Sequence, residues 1–123
     1  LKHYVPILPK NIKKYILSDR PTTVIYSNPV AIASNAITEE KTVAIRIVNH
    51  HFCTPLISAF GKPLISTSAN LSGDLPPKKY TDISKEIICG VDHIVKKDMK
   101  IVNNQASCII RLEKSGKTTL IRA

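Results

Sequence analysis

At 123 residues the chain has room for one domain with a core covering about two-thirds of the unfolded surface, and a second domain does not fit. Its 18 lysines and arginines against nine acidic residues, a net charge of +9, favour polyanionic company such as nucleotides, RNA or an acidic membrane surface, while the lack of tryptophan and the scatter of Tyr4, Tyr15, Tyr26, Tyr80, Phe52 and Phe60 argue against a base-stacking platform. Cys53, Cys89 and Cys108 are widely spaced with no C-x-x-C pair, which argues against a disulfide framework or zinc site. No apolar run reaches membrane-spanning length and Leu1 to Tyr15 lacks a secretory pattern, so a cytoplasmic protein with reduced thiols is expected.

From Asn11 to Leu17, Ile12, Tyr15 and Ile16 recur at helical spacing with lysines opposite, which predicts a short amphipathic helix. Thr22 to Tyr26 is β-branched and aromatic, and reads as a strand ended by Asn28-Pro29. Val43 to Val48 is a second strand whose single charge, Arg46, sits among apolar neighbours. Thr54-Pro55 has the form of an N-cap with proline in the first turn, and Leu56, Ile57 and Phe60 line one face until Gly61 stops the helix. Leu64 to Ser66 follows as a third strand. Asp74 to Lys79, rich in proline and lysine, is a surface loop; Asp82 to Ile88 reads as a helix ending at Gly90, and His93 to Val95 as a short strand. Asn103-Asn104-Gln105 is a loop before the strand Ser107 to Leu112. Lys114-Ser115-Gly116-Lys117 then turns the chain into Thr118 to Arg122, closing a terminal hairpin.

The most informative stretch is Pro63-Leu64-Ile65-Ser66-Thr67-Ser68-Ala69-Asn70-Leu71-Ser72-Gly73. An apolar segment stops at small polar residues, so hydroxyls, an amide and backbone N–H groups gather at its end. Gly73 can take a positive φ and help aim successive N–H groups into one concavity, a setting suited to phosphate or carboxylate oxygens. The plainer reading is a polar turn whose side chains bond only their own backbone.

Other candidates divide in the same way. Arg46 in an apolar strand must be paired or exposed at an edge or end. A structural ion pair would explain it, and so would bidentate capture of a carboxylate. Ser107 opens an apolar strand and Arg122 lies at a solvated end, so each has an ordinary structural explanation. Gly116-Lys117-Thr118 is not a phosphate loop, because Arg111 stands where the pattern needs glycine and no helix follows. Lys10, Lys13 and Lys14, the pair Lys78-Lys79, and Lys96, Lys97 and Lys100 form basic clusters that are either solvated faces or the walls of a groove for ATP or RNA. His50, His51 and His93 lack metal-ligand spacing and read as surface or packing residues.

The polar run resembles the P-x-x-x-x-S-A-N-x-S-G segment of the YrdC family, the L-threonylcarbamoyladenylate synthases, at every fixed position. Pro21-Thr22-Thr23-Val24-Ile25 is similar to that family's P-x-T-[VI]-[IL] strand, Val43-Ala44-Ile45-Arg46-Ile47 to its V-G-[VI]-R-[VI] strand, and Ser107-Cys108-Ile109-Ile110 to its S-T-[VI]-[VI] strand, with Arg122 where the R-x-G motif closes. There are departures: Asp19-Arg20 replaces Pro-Gly, Val48 a proline and Cys108 a threonine, and neither the P-T-[DE]-T-x-Y-G-L segment nor the K-x-R motif is present. The chain therefore reads as a single YrdC-like domain over residues 1–123 that is incomplete at its N-terminal side.

The resemblance implies an α/β fold, an open twisted mixed sheet with flanking helices and a concave basic cleft. It implies condensation of L-threonine, bicarbonate and ATP into threonylcarbamoyl-AMP for the modification of tRNA. Arg46, Ser68 and Ser107 would contact threonine, while Asn70, Lys78 and Arg122 would contact the nucleotide. Magnesium would accompany ATP, with no metal site in the protein itself and no covalent nucleophile. Without the K-x-R cations, little or no product is expected from this chain alone. Possible partners are tRNA or other RNA, a tRNA-modification protein or a separate N-terminal piece, with no membrane. The alternative is a non-catalytic module of the same fold that keeps a basic surface for nucleotide or RNA.

Overall fold

Short runs of β-branched, aliphatic and aromatic residues build the central element of the structure, a sheet that buries one face. The computed structural model describes residues 1–8, 12–96, 106–113 and 115–123. In chain order it contains α1 (Lys13–Ile16), β1 (Thr22–Ser27), β2 (Thr42–Arg46), α2 (Cys53–Phe60), α3 (Lys85–Cys89), β3 (Cys108–Leu112) and β4 (Thr118–Arg122), with short 3-10 turns at Ser34–Ala36 and Tyr80–Asp82. The strand order is β2-β1-β3-β4, with β1 antiparallel to β2, parallel to β3, and β3 antiparallel to β4. This is the mixed open sheet of an α/β protein, as expected.

The chain divides into two compact units, Leu1–Leu64 with Ser107–Ala123, and Ile65–Ala106. The first holds the whole sheet. Val24 and Tyr26 of β1, Val43 of β2, and Ile110 and Leu112 of β3 are buried together with Val5 and Ile12, and Tyr15 and Ile16 of α1 pack against them. The register explains why these residues share a face: Val24 lies opposite both Ile45 and Ile110, and Tyr26 opposite Val43. Side chains alternate across a strand, so the other face takes Thr23, Ile25 and Ser27 from β1, and Ala44 and Arg46 from β2. The terminal hairpin forms as expected. Gly116 takes φ +83° and donates its N–H to Glu113 O at 2.9 Å, a conformation that suits glycine in a tight turn.

Several boundaries differ from expectation. The first helix is one turn, Lys13–Ile16, with Ile12 at its start; Asn11 lies outside the described residues. The second strand stops at Arg46. Thr54 does not cap α2, which begins at Cys53; its Oγ1 instead donates to Val48 O at 3.0 Å and accepts the His50 N–H at 3.0 Å. His50 Nδ1 accepts the N–H groups of Phe52 and Cys53 at 3.3 and 3.4 Å, so the imidazole takes over the satisfaction of first-turn donors. Gly61 ends α2 as anticipated, at φ +72° with its N–H on Ile57 O.

Leu64–Ser66 and His93–Val95 are not strands. A strand exists only through its ladder, and among the described residues neither segment has a partner; Leu64 and Ile65 are exposed. In the second unit the helix expected over Asp82–Ile88 is split. Ser84 accepts the Ile87 N–H on its Oγ at 3.3 Å and caps α3, so the helix cannot begin at Asp82. Asp82 ends the preceding 3-10 turn and takes the N–H groups of Lys78 and Lys79, each at 3.3 Å. The loop Asn103-Asn104-Gln105 and the lysines Lys10, Lys97, Lys100 and Lys114 lie outside the described residues.

Candidate functional site

Across one end of the sheet, on the face away from the core, the register puts polar side chains in a row. Thr23 of β1 lies opposite Arg46 of β2 on one side and Ile109 of β3 on the other, and Ile109 lies opposite Arg122 of β4. Neighbouring strands are about 4.8 Å apart, so this row brings residues remote in sequence within reach of one small ligand. Ser107, two residues before Ile109, points to the same side, and its Oγ shares a 3.0 Å hydrogen bond with Thr23 Oγ1.

A β-bulge makes the row possible. Ile110 pairs with Leu120, whereas Ile109 pairs with Arg122, so Ile121 is an extra residue in β4. A regular ladder would put Ile121 opposite Ile109. The bulge substitutes Arg122, whose Nε and Nη2 donate to Ser107 O at 3.1 and 2.9 Å, with a longer 3.4 Å contact from Nη2 to Ser107 Oγ. The guanidinium thus clamps the start of β3 through one edge and keeps other N–H groups for a ligand.

Arg46 is exposed and makes no ion pair among the described residues. Among the described residues a structural salt bridge therefore does not account for it. A guanidinium opposite Thr23, on the face that also carries Ser107, is an arrangement suited to a carboxylate or phosphate oxygen.

The same face continues into an open cleft of about 460 Å³ lined by Ile25, Thr38, Glu39, Glu40, Thr42, Ala44 and Arg111. Thr38 Oγ1 receives the Thr42 N–H at 3.1 Å and shares a 2.8 Å hydrogen bond with Thr42 Oγ1, which locks the loop entering β2. Arg111 Nη2 stands 3.4 Å from Glu40 Oε2, an exposed pair of small energetic worth. This cleft was not anticipated from the sequence. Its signal was available in Arg111, a second lone charge in an apolar strand, with the same alternation as Arg46.

In the second unit, Asn70 secures the turn after the polar run. Its Nδ2 donates to Leu71 O at 2.9 Å and Asp74 O at 3.0 Å, while Asp74 N–H donates to Leu71 O at 3.1 Å and Gly73 takes φ +93°. Both amide donors are thereby used on the backbone. Asn70 Oδ1 is buried without a hydrogen-bond partner, the one such side-chain atom among the described residues. The side-chain atom of Asn70 left without a partner among the described residues is therefore an acceptor. Ser68 and Lys78 are exposed, and the Lys78 side chain makes no ion pair among the described residues.

Of the six expected site residues, Ser107 and Arg122 are in direct contact and Arg46 shares their face, all in the first unit. Ser68, Asn70 and Lys78 belong to the second. Sequence reasoning did not single out Thr23 as a site residue.

Comparison with known proteins agrees with these motifs. A threonylcarbamoyl-AMP synthase of Buchnera aphidicola subsp. Baizongia pistaciae is 36% identical over 107 residues, covering 80% of this chain and 58% of the relative. A protein of the same name from Escherichia coli O1:K1 is 39% identical over 62 residues, covering 50% of this chain and 32% of the relative. The chain thus spans a little over half of the first relative and about a third of the second. No solved structure matches it. The family model described as Telomere recombination matches residues 1–123, and the chain belongs to that Sua5/YciO/YrdC family.

Proposed function

We propose that this chain takes part in threonylcarbamoyl-AMP synthesis, joining L-threonine, bicarbonate and ATP with release of pyrophosphate, to supply the group placed on an adenosine of tRNA. The observation that carries the reading is the row of Arg46, Thr23, Ser107 and Arg122 on one sheet face, in a family whose relatives bear the synthase name. In this reading Arg46 takes the threonine carboxylate with its planar fork, and Ser107 hydrogen-bonds the amino acid. The threonine amine attacks bicarbonate-derived carbon to give a carbamate, with loss of water. A carbamate oxygen then attacks the α-phosphorus, and the bond to pyrophosphate breaks.

No side chain has to form a covalent bond in this scheme. The protein's work is to hold two anions together and to offset their charge, which suits arginine, lysine and hydroxyls without a nucleophile. Arg122 would supply positive charge to the phosphates. Asn70 Oδ1 is an acceptor and cannot bond a phosphate oxygen directly; its chemistry fits a water on the magnesium ion that accompanies ATP.

The test is pyrophosphate release with threonine and bicarbonate omitted in turn, alongside calorimetric titration of threonine. With the K-x-R cations absent, release from this chain is expected to be low, and whatever release occurs should require both. Arg46→Ala should weaken threonine binding by about tenfold or more, since hydrogen bonds to charged groups contribute about 1.5–3 kcal/mol. Release that is indifferent to threonine, or unchanged threonine affinity in Arg46→Ala, refutes the reading.

A further inference from the structure

The two adjacent threonines of β1 have different work. Thr22 Oγ1 donates to Arg20 O at 3.0 Å, a local bond to the chain just before the strand. Thr23 Oγ1 has no such backbone partner among the described residues, and its hydrogen bond spans 84 positions to Ser107 Oγ. Valine would fill the same place in the strand with the same branching and no hydroxyl. The hydroxyl of Thr23 is therefore explained by Ser107 and not by the sheet.

Ser107 Oγ carries one proton and two lone pairs. Arg122 can only donate, and its Nη2 approaches Ser107 Oγ at 3.4 Å, besides the two shorter bonds to Ser107 O. We propose that Thr23 is a positioning residue that donates to Ser107 Oγ. With both lone pairs of Ser107 engaged, by Thr23 and Arg122, its proton has to point away from both, toward the open face. Ser107 is then a fixed hydrogen-bond donor for an oxygen acceptor on the ligand. Thr23 itself touches neither substrate nor reacting atoms.

This inference rests on the reading of Ser107 as a threonine contact, and the experiment separates the two. Threonine is titrated calorimetrically into the chain carrying Thr23→Val, Thr23→Ser, Ser107→Ala or the Thr23→Val/Ser107→Ala pair, with a thermal melt for each. Thr23→Val should weaken threonine binding about fivefold, the scale of one net hydrogen bond, with its melt close to that of the parent. Thr23→Ser should restore affinity, because it returns the hydroxyl. The double variant should bind as Ser107→Ala does, since Thr23 has nothing left to orient. Parent-like affinity in Thr23→Val, with Ser107→Ala weakened, overturns the positioning role, as does strict additivity in the double variant. Parent-like affinity in Ser107→Ala, or no threonine binding by the parent chain, overturns the underlying reading and the inference with it.

Discussion

Tyr26 shows how one side chain ties the sheet to solvent conditions. It is 2% exposed among Val24, Val43 and other core residues, and burial raises its phenol from 10.0 to about 12 because the anion would lose its hydration. The raised value means that the unfolded chain gives up this proton first as pH increases. The stabilising contribution of the neutral phenol is therefore complete below pH 10 and is lost as pH climbs from 10 through about 12. Urea midpoints measured at pH 9 and pH 11.5 should fall further in the parent chain than in Tyr26→Phe, which has no proton to lose. An equal fall in the two proteins would remove Tyr26 from the alkaline transition.

Helix α3 illustrates the same dependence on one group at the level of an element. Five residues are too few to form a stable helix alone, so its first turn depends on the bond from Ile87 N–H to Ser84 Oγ. Ser84→Ala should destabilise the helix by about 1 kcal/mol, the usual cost of a lost N-cap. Amide exchange should quicken about fivefold at Ile88, whose N–H donates to Ser84 O, with the sheet unaffected; unchanged exchange there would refute the cap's role. The four strands of the sheet were legible because each is a short run rich in β-branched residues, such as Thr22 to Ile25 and Ile109-Ile110. Leu64–Ser66 has similar composition and forms no strand, since a ladder is decided by a partner that local sequence does not specify. At the candidate site, Arg46 announces itself as a lone charge, and Ser107 and Arg122 were found through motifs. Thr23 was hidden because threonine is an ordinary strand residue, and the bulge at Ile121 involves no glycine that would mark it.

Over the whole chain, a net charge of +9 guarantees some attraction to any polyanion, so binding of nucleotide or RNA does not by itself identify a synthase. The two sources of affinity respond differently to solution conditions. Diffuse charge attraction to single-stranded RNA releases counterions, and log K falls with log salt at a slope of about −0.7 for each phosphate neutralised. It has no reason to respond to a small amino acid. An amino acid held by Arg46 and Ser107 would put a second reacting partner beside the nucleotide, and binding of each should then favour the other by the same factor. Titrating ATP and a short single-stranded RNA into the chain at 50 and 200 mM salt, with and without saturating threonine, separates these cases. Threonine should tighten ATP at both salt concentrations and leave RNA unchanged, while RNA affinity drops steeply between them. ATP binding that ignores threonine and follows the salt dependence of RNA would leave a basic binding module in place of a synthase.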